Sequence, residues 1–259
     1  MLSIEPIPAF DDNYIWLLQE PPGSGVAVVD PGDADPVIET LRARGLDLTA
    51  VLVTHHHQDH IGGLDELRQV WPDLLITGPA DRRIRALTRV VGEGEQVRLP
   101  GFTTDFQVMA VPGHTASHIA YLGDANLFCG DTLFAAGCGR VFDGTFAQLA
   151  ASLRHIAALP ATTLCYCAHE YTLANLGFAR WVEPDSPALL DRSAAAARQR
   201  RAGQPTVPST LALELATNPF LRTSEPAVIA AAADFAGHPL ADPTAVFTAL
   251  RRWKDERYD

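Results

Sequence analysis

No apolar run in the 259 residues approaches the ~20 needed to span a bilayer. The N-terminus, MLSIEPIPAF, lacks a basic segment followed by an apolar one, so no export signal is expected. Both absences point to a soluble, cytoplasmic protein with no membrane partner. Basic residues are also scarce. Twenty Lys and Arg stand against thirty-one Asp and Glu, a formal net charge of −11, which argues against a general nucleic-acid binder. The one basic cluster, RQRRAG at 198–203, ends an Ala-rich helical run. Cations there complement a helix C-terminus, and Gly203 can terminate it. The four cysteines, Cys129, Cys138, Cys165 and Cys167, form no CxxC pair, and an intracellular chain seldom needs disulfides. They read as small buried apolar residues, with Cys165 and Cys167 on one face of a strand. There is no Gly-x-Ser-x-Gly elbow for a serine hydrolase, and HEYTL lacks the second histidine of a metalloprotease helix. No internal repeat or low-complexity linker appears.

What is present falls into two textures. Through about residue 172, short β-type runs alternate with helical patterns. LSIEPIP, NYIWLLQE and GVAVVD read as an opening antiparallel set. DADPVIETLRARG reads as a helix with Asp35 as N-cap, Pro36 in its first position and Gly45 after its last turn. LTAVLVT reads as a strand buried on both faces, GGLDELRQVWP as a helix stopped by Pro72, and FAQLAASLRHIAALP as an amphipathic helix ended by Pro160. DLLITG, FTTDFQVMAV, SHIAYLG, ANLFCG and ATTLCYCA are further strands. Beyond 172 every segment has helical period and no strand pattern appears. The expectation is an α+β domain over residues 1–172 and a small all-α domain over 173–259.

The densest chemistry is VLVTHHHQDHIGG, where four histidines and an aspartate follow an apolar strand. In extended backbone His55 and His57 face together and His56 points away. A helix beginning near Ile61 would leave Asp59 and His60 beside the same pocket. Three more candidates end strand-like runs: His114 in VPGHT, Asp131 in FCGDT and His169 in CAHEYT. The set is five histidines and two aspartates. One catalytic zinc takes three protein ligands and keeps a position open, so seven suit two metals. The simplest partition puts His55, His57 and His114 on one metal and Asp59, His60 and His169 on the other. Asp131 bridges them alongside a shared water. The ligand types suit zinc, iron or manganese. His118 would support this site, His56 would point away, packed or hydrogen-bonded, and His155 and His238 read as surface or satisfied histidines.

These motifs resemble the metallo-β-lactamase-fold hydrolases, whose HxHxDH signature THHHQDH fits. PGHT, GDT and AHEYT follow in the family's order. Within that superfamily the chain is similar to the glyoxalase II, or hydroxyacylglutathione hydrolase, family. AGCGR at 136–140, PTVPSTLALELATNPFLR at 205–222 and RRWKD at 251–255 extend the likeness through the tail. The resemblance implies a four-layer αββα sandwich followed by a small all-α C-terminal domain that helps bind glutathione. It assigns the same seven ligands to two divalent metals, zinc first. It also implies glutathione contacts from Arg140, Tyr171, Arg251 and Lys254. Phe142 departs from the family, which commonly has tyrosine in that FDG segment.

The implied reaction is hydrolysis of S-(2-hydroxyacyl)glutathione thioesters by a metal-bridging hydroxide, with Asp59 and Asp131 orienting the nucleophile. A thiol of pKa roughly 8.5 leaves without a strong general acid. A monomer is expected. Three readings compete: another hydrolase of the fold, such as a lactonase or β-lactamase; a persulfide dioxygenase with one iron; and a non-catalytic metal- or glutathione-binding module.

Overall fold

The computed structural model describes residues 2–20 and 25–258. The chain forms two compact units, Met1–Ala110 with Ser117–Gly130, and Val111–Ala116 with Asp131–Asp259.

The first unit opens with β1 (Ser3–Ala9), β2 (Asn13–Gln19) and β3 (Val26–Val29), paired antiparallel as expected. Helix α1 (Asp35–Arg44) then carries the chain to β4 (Leu48–Leu52). The single-turn α2 (Gln58–Ile61) and α3 (Leu64–Val70) lead to β5 (Leu75–Pro79) and β6 (Arg89–Val91). Strands β3 to β6 run parallel, giving the order β1-β2-β3-β4-β5-β6. Parallel strands with both faces covered read as continuous apolar runs, which is why LTAVL lacks alternation. Next, β7 (Gln96–Arg98), β8 (Asp105–Ala110), β9 (Ile119–Gly123) and β10 (Asn126–Gly130) form an antiparallel meander. Tyr121, on β9, ties the meander to the first sheet. Its buried hydroxyl donates to the carbonyls of Val53 (2.9 Å), just past β4, and Thr77 (3.2 Å), within β5. Burial raises its pKa well above the usual value, so it remains a donor.

The second unit contains the hairpin β11 (Leu133–Phe134) and β12 (Gly137–Cys138), α4 (Phe146–Ala157) and β13 (Leu164–Cys167). Then come α5 (Thr172–Val182), α6 (Pro187–Arg201), β14 (Ser209–Thr210), α7 (Leu211–Thr217), α8 (Pro226–Ala236) and α9 (Pro243–Arg257). Phe178, Phe220 and Phe247 pack at the centre of its helices, with ring centroids 5.7 to 5.9 Å apart.

Three local expectations need correction. Ala34, not Asp35, occupies the N-cap of α1, and Asp33 caps from outside by accepting the N–H of Asp35 at 3.0 Å. The tail is not free of strand, because β14 pairs with β13 through Leu164↔Thr210 and Cys165↔Ser209. Two residues are too few to show alternation. The third correction, at α2, belongs to the site.

Candidate metal centre and substrate site

In the first unit the chain leaves β4 extended, so His55 and His57 share a direction and their nitrogens Nε2 and Nδ1 lie 3.0 Å apart. The helix starts at Gln58, not near Ile61, so Asp59 and His60 lie in its first turn. Its abrupt start depends on close backbone approach. A Cβ on Gly32 would lie 1.9 Å from the Asp59 carbonyl oxygen, so only glycine lets that loop press against α2. His56 does turn away, toward Asp81, with Nδ1 3.6 Å from the carboxylate.

A buried carboxylate that the sequence reading missed organises this half. Asp30 accepts the backbone N–H of Thr54 (2.8 Å), the Thr54 hydroxyl (2.7 Å) and Nδ1–H of His60 (3.0 Å). Thr54 Oγ1 in turn lies 3.0 Å from Nδ1 of His55. Both Nδ1 atoms are thus engaged by protein, which turns Nε2 of His55 and His60 to the metal side. A partner on the second ring nitrogen is the usual way a protein fixes a ligating histidine. Asp30 holds a left-handed φ of 52°, a costly conformation for a non-glycine residue that the three hydrogen bonds maintain. The signal was available: Asp30 ends GVAVVD just as Asp131 ends FCGD. Asn13, also missed, donates to Asp59 Oδ2 at 3.2 Å and aims that carboxylate. His118 is buried and stacks on His55, ring centroids 4.6 Å apart at 18°, the supporting position expected of it.

Asp30→Asn keeps the shape but loses the charge that binds the His60 N–H. Metal affinity is expected to fall about 10–100-fold, as for other lost partners of ligating histidines. Titration of the metal-free variant against a chelator of known affinity measures this.

The second unit brings His114, Asp131 and His169 together, all nearly buried. Asp131 offers one oxygen to each histidine: Oδ2 is 3.5 Å from Nε2 of His114, and Oδ1 is 3.4 Å from Nε2 of His169. His114 donates its Nδ1–H to the Arg140 carbonyl at 2.8 Å. Gly139 permits that contact, since a Cβ there would lie 2.0 Å from the Asp131 carbonyl oxygen. The ring of Tyr171 stacks on His169 at 4.7 Å and 7°. Phe142 is exposed, with its ring edge-on to His114 at 5.2 Å.

The four cysteines are buried and in no disulfide. Burial raises the thiols of Cys138 and Cys167 to about 11 and about 12. The groups that converge are histidines and aspartates, so the donor set is imidazole and carboxylate. That set, with Nδ1 of His55, His60 and His114 engaged by protein groups, fits divalent metals.

The remaining substrate candidates lie on or near α9. Its buried face runs Val246, Phe247, Ala249, Leu250, Arg251 and Lys254, so helical period encloses Arg251 and Lys254 and leaves Arg252 exposed. Arg251 is fully buried. It donates to the Cys138 carbonyl (3.1 Å) and to Asp255 (2.9 Å), and its guanidinium lies over the Phe220 ring. Arg140 is exposed, with Nε 3.8 Å from the same Asp255 oxygen. His155 and His238 are exposed, as expected.

Comparison with known proteins places these halves. A family model described as the metallo-beta-lactamase superfamily matches residues 9–169, and one described as the hydroxyacylglutathione hydrolase C-terminus matches residues 170–257. The chain is 54% identical to a hydroxyacylglutathione hydrolase of Xanthomonas axonopodis pv. citri, covering 96% of this chain and 97% of that one. It is 51% identical to one of Vibrio cholerae, covering 99% and 100%. Among solved structures it is similar to TTHA1623 in a di-iron-bound form, with TM-score 0.59 and 26% identity over 84% of this chain and 100% of that one. The αββα reading therefore holds at the level of a metallo-β-lactamase fold with a helical C-terminal region, and the histidine and aspartate clusters fit a binuclear metal site. By these likenesses and by the ordered ligand motifs, the chain belongs to the hydroxyacylglutathione hydrolase family of the metallo-β-lactamase superfamily.

Proposed function

We infer that the protein hydrolyses S-(2-hydroxyacyl)glutathione thioesters, S-lactoylglutathione among them, to glutathione and a 2-hydroxy acid. The observation that carries this reading is the likeness to hydroxyacylglutathione hydrolases along nearly the whole chain, tail included.

Two divalent metals are proposed, zinc first, with iron or manganese compatible with the same donors. His55, His57 and His114 would hold one, Asp59, His60 and His169 the other, and Asp131 both. When bound, the pair supplies a nucleophile at neutral pH and polarises the thioester carbonyl. The protein's own contribution is orientation. Asp30, Thr54 and the Arg140 carbonyl fix which imidazole nitrogen is presented, and Asn13 aims Asp59. Asp59 and Asp131 lower the net charge of the centre and hold the attacking oxygen's proton by hydrogen bonding. The thiolate departs without a dedicated acid.

Arg140, Tyr171 and Lys254 are the proposed contacts to glutathione. Arg251 belongs to the same group through Asp255, which it holds beside Arg140. Attraction of an anionic thioester to a chain of net charge −11 rests on such local cations. The division near residues 172 and 173, a monomeric state, a cytoplasmic location, and the absence of nucleic-acid or membrane partners complete the proposal. No helix among the described residues is long and apolar enough to cross a membrane.

Freshly isolated protein is expected to carry two metals per chain and to turn over S-lactoylglutathione, losing activity on chelation and regaining it on metal return. Elemental analysis beside a thioester assay checks this. Robust turnover after complete metal removal defeats the mechanism, and metal binding without turnover supports a binding module instead. Lys254→Ala is expected to raise KM more than it lowers kcat, the pattern of lost uniform binding. An unchanged KM would remove Lys254 from the contact set.

A further inference from the structure

In a chain this acidic, Arg82, Arg83 and Arg85 stand together in the loop between β5 and β6, all exposed. They line a cleft of about 490 Å³ together with Gln58, Asp65 and the buried Ile61 and Leu64. Arg83 is committed to Asp81 by a two-point contact, Nε to Oδ1 at 2.9 Å and Nη2 to Oδ2 at 2.7 Å. Arg82 and Arg85 make no ion pair among the described residues. Like charges held this close repel one another unless a counter-charge arrives from outside.

We propose that this cleft, formed by residues outside the metal-ligand set, binds a small organic anion whose oxyanion groups meet Arg82 and Arg85. The guanidinium fork matches carboxylate and phosphate geometry alike, and the volume is that of an ordinary small-molecule site. Asp65 is the one carboxylate on the wall. It opposes the anion and weakens its binding.

The cleft has two routes to the metal-ligand segment. Gln58, on its wall, lies between His57 and Asp59. Asp81, the partner of Arg83, also accepts the Ser117 hydroxyl at 2.6 Å and lies 3.6 Å from Nδ1 of His56. The cleft and the metal-ligand segment are thus neighbours through Gln58 and Asp81, while the anion's own contacts are with Arg82 and Arg85.

The test is titration calorimetry on metal-loaded full-length protein at constant ionic strength. Glutarate is the dicarboxylate probe and glycerol 3-phosphate the phosphate probe. Saturable binding of at least one is expected, and the stronger probe identifies the source of the oxyanion. Arg82→Ala/Arg85→Ala is expected to weaken it about tenfold or more, the loss of two charge-assisted contacts. Asp65→Asn is expected to tighten it. Turnover of the double variant without probe should equal that of the wild type. Binding of equal strength in wild type and double variant, or no saturable binding of either probe, overturns the proposal. Neither result bears on thioester hydrolysis, which is measured separately.

Discussion

Asp131→Ala is expected to lose both metals where His114→Ala loses mainly one. The carboxylate of Asp131 has an oxygen toward each neighbouring histidine, at 3.5 Å from His114 and 3.4 Å from His169. An oxygen on each side serves two cations, whereas an imidazole nitrogen serves one. Removing the carboxylate also leaves two divalent charges with one fewer compensating anion, which raises their mutual repulsion in a nearly buried site. The fall in metal affinity should exceed the about 10–100-fold typical of losing a supporting partner such as Asp30. Turnover should fall with occupancy, and added metal should not restore it. His114→Ala keeps the carboxylate, so one metal should persist after dialysis. Elemental analysis of both variants, dialysed side by side, decides the matter. Loss of one metal only in each variant would contradict the shared role of Asp131.

The candidate ligands could be picked out because each of their segments follows an apolar run, and polar residues in that place need a reason. The strand β4 shows why the prediction there was local and firm. Period 2 alone puts His55 and His57 together, and their nitrogens do converge within 3.0 Å. The start of α2 was not legible, because it depends on a distant loop at Gly32 packing on the Asp59 backbone. Asp30 was missed for a related reason. Its partners, Thr54 and His60, are 24 and 30 residues away, and its place at the end of an apolar run, the one local signal, does not name them. The tail gave the reverse case. Its motifs were read as marks of the family's C-terminal domain, and within them Glu214 and Asn218 hold the hairpin β11–β12, a role the sequence reading did not name. Spacing on a helix shows that Glu214 and Asn218 share a face, but not what that face meets.

Glu214→Ala is accordingly expected to be the most destabilising single change in the second unit. Glu214 is fully buried and accepts from the Ala136 N–H at 2.8 Å, the Ser209 hydroxyl, Asn218 and Arg192. Removing it strands the Arg192 charge, itself almost wholly buried. Breaking such a pair from one side costs about 3–5 kcal/mol, which corresponds to a drop in Tm of roughly 10 °C for a chain of this size. Replacing both partners, Glu214→Leu with Arg192→Met, should cost less than Glu214→Ala alone, because no buried charge is left without its counterpart. Thermal unfolding of the two variants measures the difference. The same substitution reaches the chemistry. Ala136 holds a left-handed φ of 55° at the start of the segment that runs to Arg140, and the Arg140 carbonyl is what accepts Nδ1–H of His114. With the Ala136 N–H released, that carbonyl loses its fixed position and His114 its fixed tautomer. Metal affinity should therefore fall in Glu214→Ala at temperatures well below its Tm, whereas a purely structural residue would leave the folded protein's affinity unchanged.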